Sequence, residues 1–207
     1  LAACLESSDT AVESCIEGRV AERAIALLKE GGTQDASLQL NLLVLLGTLG
    51  EASDSTCQSV LDAGGVDQLL RRADPQVGEQ LREAAMDGLC KLAANSAAAK
   101  DAAAAAGAVP AMAALLGGEG SAEVRVRALL CLGMLVSGSS TRQVQLASTP
   151  GAGAALLRLM RQHDDSDCQQ VAAGLFKELA GNGEAKQAIT AALQEQQAAN
   201  AAAPFLH

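Results

Sequence analysis

The chain has 207 residues, with no Trp, no Tyr and two Phe, and it is 49% hydrophobic and 19% charged, with a net charge of -9. That balance argues against a disordered chain, which is poor in apolar residues and rich in charge. The lack of aromatics argues against a β-sandwich and against nucleic-acid binding by base stacking. The acidic net charge would repel a phosphate backbone, so nucleic acid is not an expected partner.

The whole chain, 1–207, reads as one domain built from a repeating unit. Residues 1–6 read as the end of a preceding repeat, because Leu1-Ala2-Ala3 stand where later repeats end. Position 1 is Leu rather than Met, which points to a fragment or processed chain and to a longer array. Complete repeats are expected at 7–50, 51–93, 94–136 and 137–180. Each runs from a short helix through a Gly turn to a middle helix, a loop and a long helix. The short helices include Ser53–Ala63, Ala97–Ala106 and Thr141–Ser148. The turn glycines are Gly18, Gly64-Gly65, Gly107 and Gly151, expected in the left-handed conformation that ends a helix. Middle helices follow at Val20–Leu28, Val66–Leu70, Val109–Leu116 and Ala154–Met160. Loops are expected at Gly31–Asp35, Asp74-Pro75, Gly117–Ser121 and His163–Asp167. Residues 181–207 form a partial repeat or a C-terminal cap, since they lack the Gly turn and end in Pro204-Phe205-Leu206.

The period shows in the long helices. They end at Leu49-Gly50, Leu92-Ala93, Leu135-Val136 and Leu179-Ala180, spaced by 43, 43 and 44 residues. Reading back from each end gives aligned rows. One holds Leu46, Leu89, Leu132 and Phe176; another holds Leu45, Gly88, Cys131 and Leu175. Two more hold Leu42, Ala85, Ala128 and Ala172, then Leu38, Leu81, Val124 and Cys168. Within a repeat these positions fall at i, i+4, i+7, i+8 and i+11, one face of an α-helix. That face is the expected core, with Leu46, Leu89, Leu132 and Phe176 nearly fully buried.

Chemistry-bearing motifs are sparse. Cys4, Cys15, Cys57, Cys90, Cys131 and Cys168 include no C-x-x-C pair and read as buried, reduced thiols rather than zinc ligands. They suit a reducing, cytoplasmic compartment. Gly151-Ala152-Gly153 lacks the strand and third glycine of a dinucleotide loop. His163-Asp164-Asp165 reads as a solvated loop rather than a metal site. No catalytic, cofactor-binding or metal-binding residues are assigned, and no enzyme activity or cofactor is expected. No basic segment followed by an apolar run marks a secretory signal. The apolar stretches Leu42–Leu46 and Ala128–Val136 are too short to span a membrane. Residues 1–62 carry ten acids and three bases, the remainder fourteen and twelve.

Asn95-Ser96-Ala97-Ala98-Ala99-Lys100, followed by Ala106-Gly107-Ala108-Val109-Pro110 and Leu115-Leu116, resembles the first-to-second helix signature of the armadillo repeat family. Asn182 with Lys186-Gln187-Ala188-Ile189 starts that signature again. The resemblance implies an all-α, right-handed α-solenoid of three-helix repeats, with a groove lined by the third helices. Aligned groove rows are Asn41, Ala84, Arg127 and Val171; Val44, Asp87, Leu130 and Gly174; and Thr48, Lys91, Met134 and Glu178. The family's nuclear-import adaptors carry Trp in the middle row and Asn in the third. This chain has neither, so the resemblance does not extend to their peptide clamps.

The implied function is a non-catalytic scaffold or adaptor whose partners are other proteins, bound in the groove at Asn41, Val44, Thr48, Asp87, Lys91, Arg127, Leu130, Met134 and Glu178. No membrane insertion is expected. Asp87 and Lys91 are spaced as a helix-surface ion pair. The main contact is expected at Asp87, Lys91, Arg127, Leu130 and Met134 rather than in the acidic first repeat. The alternative is a co-chaperone resembling the armadillo nucleotide-exchange factors of the seventy-kilodalton heat-shock chaperones, on the flavour of Val124-Arg125-Val126-Arg127-Ala128-Leu129 through Leu135-Val136.

Overall fold

A computed structural model describes residues 9–29, 35–118, 120–162 and 166–202. The expectations for residues 1–6, for most of the Gly31–Asp35 loop, for His163-Asp164-Asp165 and for Pro204-Phe205-Leu206 lie outside these described residues. Among them the fold is all-α, with no strand. Two compact units divide at Ala108 and Val109.

The first unit holds α1 (Asp9–Glu17), α2 (Val20–Lys29), α3 (Ala36–Ala52), α4 (Asp54–Asp62), α5 (Gly65–Arg72), α6 (Glu79–Asn95) and α7 (Ala97–Ala105). The second begins with α8 (Ala108–Gly117) and continues through α9 (Ala122–Val136), α10 (Ser140–Ser148), α11 (Ala152–Arg161), α12 (Ser166–Gly181) and α13 (Gly183–Ala202). Along the chain the order is short, middle and long helix, four times over, followed by α13. No single described helix is long and apolar enough to cross a membrane.

Side-chain caps set where these helices start. Ser53 Oγ accepts from Thr56 N, Ser96 Oγ from Ala99 N and Ser139 Oγ from Arg142 N. Asn182 Oδ1 accepts from Glu184 N and Ala185 N. These four residues stand 43 apart in sequence, and each satisfies an orphan N–H at the start of a first helix. Asp35 and Ser121 do the same for α3 and α9. Gly64, Gly107 and Gly151 hold the left-handed conformation before α5, α8 and α11, with φ of 86°, 88° and 79°. The first repeat departs from expectation: the left-handed residue is Arg19, φ 50°, rather than Gly18. Gly18 sits one step earlier, where a Cβ would meet Ser14 O at 2.9 Å.

The long helices bury the face that the periodicity marks. Leu46, Leu89 and Leu132 are buried, as are Leu49, Leu92, Leu135 and Leu179. Burying a leucine side chain contributes about 1.5–3 kcal/mol. Four positions correct the expected core. Phe176 is only half-buried; its helix, α12, is the last third helix of a repeat among the described residues. Leu45 is half-buried on α3, the first long helix described. Leu38 is 39% exposed and Leu81 half-buried; both occupy the first turn of their helix, at the rim of the core. In exchange, Leu43, Met86 and Leu129 are fully buried, one residue beyond an expected row. The buried arc is therefore wider than one stripe. In the first unit α3 and α6 approach closely: a Cβ on Gly47 would stand 3.0 Å from Gly88 Cα.

Arginines tie one repeat to the next. Arg72 Nη2 on α5 donates to Leu28 O on α2 at 2.7 Å. Arg158 Nη2 on α11 donates to Leu116 O on α8 at 2.6 Å. Both acceptors lie one residue from a helix C-terminus, where carbonyls lack an intrahelical donor.

Candidate protein-binding faces

The predicted groove residues divide between the two units, and each unit presents its own set. In the first, Asn41 and Asp87 are exposed on α3 and α6, and Val44 is 54% exposed. Thr48 is not exposed as expected. It is buried, and its hydroxyl donates to Val44 O at 2.9 Å, which satisfies the polar group without solvent. Ala84, in the first groove row, is buried too. Lys91 is half-buried, and its Nζ stands 2.9 Å from Glu51 Oε2. Sequence spacing points to Asp87 as the partner of Lys91; Glu51, forty residues earlier on the preceding long helix, is a partner that such spacing does not reveal.

In the second unit α9 presents Leu130, 48% exposed, and Met134, 38% exposed. They are four residues apart and share one side of the helix. Arg127 is half-buried beside them, with Nη2 held 2.9 Å from Glu123 Oε1. That i, i+4 pair orients the guanidinium along the helix surface. On the neighbouring α12, Val171 and Glu178 are half-buried and Gly174 is exposed.

Glu178 belongs to a hydrogen-bonded chain that sequence reasoning missed. Gln143 Nε2 donates to Glu178 Oε1 at 3.0 Å. Asn182 Nδ2 donates to Gln143 Oε1 and to Ser140 Oγ, both at 2.8 Å. The carboxylate is thereby fixed at the end of α12. A signal existed: Asn182 continues the spacing of Ser53, Ser96 and Ser139, but its second hydrogen-bonding arm is visible only in the fold.

Chemically, the α9–α12 face is an exposed apolar pair flanked by a guanidinium and an oriented carboxylate. Such a surface can accept an aliphatic side chain and fix its neighbours by charge-assisted hydrogen bonds. Among the described residues no group of three or more His, Cys, Asp and Glu side chains is placed to hold a metal ion.

No protein-family model matches the chain, and no curated protein matches it. Solved structures do. An engineered protein from a structural genomics consortium is 26% identical, with a TM-score of 0.77 over 95% of this chain and 79% of its own. A designed armadillo repeat protein in complex with the peptide (KR)4 is 19% identical, with a TM-score of 0.77 over 91% of this chain and 76% of its own. Computationally designed armadillo repeat proteins for modular peptide recognition are 18% identical, with a TM-score of 0.71 over 82% and 68%.

Proposed function

From its armadillo-type repeat fold, we propose that this chain is a non-catalytic scaffold or adaptor that binds another protein on the exposed faces of its long helices. In the second unit the principal contact is Leu130 and Met134 on α9, with Arg127 and Glu178 as polar flanks. In the first unit Asn41, Val44, Asp87 and Lys91 supply a more acidic face, completed by Glu51.

One observation carries the reading. Leu130 and Met134 are large apolar side chains held in solvent one turn apart, in helices whose other large apolar residues are mostly buried. Exposed apolar groups that are clustered and rimmed by charge mark interaction sites, whereas scattered ones need no explanation. Met adds adaptability to partners of different shape. A designed neighbour of the same fold holds a peptide, which supports a peptide or protein as occupant. Buried thiols at Cys57, Cys131 and Cys168 suit a reducing cytoplasm.

The test starts from peptides selected on the purified chain from a displayed library. Affinity is then measured by fluorescence anisotropy for the parent and for Leu130→Asp, Met134→Asp and Val44→Asp. The reading expects about tenfold or greater loss for the two α9 substitutions, with helicity unchanged by circular dichroism. Equal affinity in all three variants would reject the long-helix faces as the binding surface.

A further inference from the structure

The second unit also contains a cavity of about 470 Å³, separate from the long-helix face. On α11 its wall is Ala154, Leu157, Arg158 and Arg161; on α13 it is Leu193 and Gln197. The α11 residues fall at i, i+3, i+4 and i+7, one stripe of the helix. The volume is within the range of formed ligand sites, and the floor is apolar while the rim carries two guanidiniums.

The first unit shows what normally lies on this stripe. α2 and α11 both have ten residues. Ile25, sixth in α2, is 2% exposed, and α5 lies along that helix. Leu157, sixth in α11, is half-buried. Lys29, last in α2, donates to Ala63 O at 3.5 Å, at the residue where α4 stops. Arg161 is last in α11. Counted from the N-cap, Ala63 corresponds to Ala192, but α13 runs unbroken from Gly183 to Ala202. Its carbonyls there are used within the helix. α4, α7 and α10 instead end after nine residues. Among the described residues the uninterrupted α13 therefore carries no middle helix onto α11, and Arg161 meets no helix end of the kind that holds Lys29.

Charge selects the occupant. Among the described residues no carboxylate lines the cavity, although the chain as a whole carries -9. Arg158 uses Nη2 on Leu116 O and keeps further donors on its guanidinium. Two arginines one turn apart on an otherwise acidic protein favour carboxylates.

We propose that the groove between α11 and the distal half of α13 docks an acidic amphipathic α-helix of a partner protein. Its aliphatic residues fill the Ala154, Leu157 and Leu193 floor, and its glutamates or aspartates meet Arg158 and Arg161. The helix lies beside α11 as α5 lies beside α2, at ordinary helix-packing distance of about 8–10 Å.

The probe is a fluorescein-labelled helical peptide of about 18 residues, with leucines at i, i+3, i+4 and i+7 flanked by glutamates. Anisotropy titrations use the full chain. Binding is expected, with about tenfold or greater weakening when the peptide carries Gln for Glu, and similar weakening in Arg161→Glu. A peptide with Lys for Glu should regain affinity for Arg161→Glu, which a merely structural arginine would not produce. Leu130→Asp should leave binding unchanged. No binding, equal binding of the Glu and Gln peptides, or loss in Leu130→Asp alone would each overturn the proposal. So would sedimentation showing a dimer that Arg161→Glu dissociates, since a second copy would then occupy the groove.

Discussion

Gly50 on α3 lies directly against Leu92 on α6: a Cβ at Gly50 would stand 2.7 Å from Leu92 Cγ and 3.2 Å from its Cα. Both residues are buried, so neither helix can yield without disturbing the core. Alanine is normally favoured over glycine inside a helix by about 1 kcal/mol. Here overpacking, about 1–3 kcal/mol, outweighs that gain, and Gly50→Ala should destabilise. Gly174, inside α12, has open space where a Cβ would go, and Gly174→Ala should stabilise by about 0.5–1 kcal/mol. Chemical denaturation of the two variants checks the opposed signs; the same sign in both would show that helix contact does not govern these glycines.

How much of this was legible in the sequence depends on whether the cause is local or long-range. Apolar rows at helical spacing, repeated every 43 or 44 residues, marked Leu46, Leu89 and Leu132 as core because burial on one face is a periodic property. The width of the buried arc was not legible. Leu43 and Met86 are enclosed by neighbouring helices, and one helix's pattern does not say how many neighbours it has. Thr48 was misread for a related reason: a threonine can bond back to the preceding turn, so its polarity does not force it into solvent. Of the candidate site, Val44, Leu130 and Met134 proved exposed as their register required. Glu51 beside Lys91 and Gln143 beside Glu178 are contacts across 40 and 35 residues. No local spacing encodes them.

Arg19 is the one described non-glycine residue with positive φ, at 50°. The sequence pointed to Gly18 because glycine reaches that conformation without steric cost. The left-handed conformation costs other L-residues roughly 1–2 kcal/mol. Arg19→Gly should relieve much of it and raise stability by about 1 kcal/mol, while the exposed Arg19–Glu22 pair at 3.1 Å is a small loss. Gly18→Ala should do the reverse, since its Cβ would meet Ser14 O. Urea midpoints of both variants test the assignment; a less stable Arg19→Gly would mean that the arginine side chain matters more than the backbone strain.

Cys57 is 2% exposed, and its Sγ lies 3.9 Å from Leu92 O. Burial pushes its thiol above the ordinary range; a hydrogen bond with Ser96 works the other way, and the Asp54 charge adds to the rise. In the unfolded chain the thiol ionises near pH 8.5. Below that pH both states are protonated and the folded state keeps the full benefit of a neutral buried thiol. As pH rises from there through the higher folded value, the unfolded state ionises first and stability is lost. Maleimide labelling at pH 8 should therefore modify half-buried Cys15 well before Cys57. Cys57→Ala should flatten the stability decline above about pH 8.5. A decline of unchanged slope in Cys57→Ala would assign the alkaline sensitivity to other groups.

Asn182 performs two tasks that substitution can separate. Its Oδ1 caps α13 through Glu184 N and Ala185 N, and its Nδ2 reaches Ser140 and Gln143 on α10. Ser53, Ser96 and Ser139 show that a serine at this position caps on its own. Asn182→Ser should therefore keep the cap and lose only the tether, at about 1 kcal/mol. Asn182→Ala should lose both, at about 2 kcal/mol, since an N-cap alone contributes roughly 1 kcal/mol. In a Gln143→Ala background the cost of Asn182→Ser should fall to half or less, because one acceptor of the amide is already gone. Glu178 would lose its Gln143 donor in that background, so the tether also bears on how the α12 end of the binding face is held. Denaturant unfolding of the parent, Asn182→Ser, Gln143→Ala and the double variant completes the cycle, with Asn182→Ala measured beside them. Equal stability of Asn182→Ser and Asn182→Ala would mean that capping contributes nothing here. Full additivity with Gln143→Ala would mean that the hydrogen bond between Asn182 and Gln143 does not couple α13 to α10.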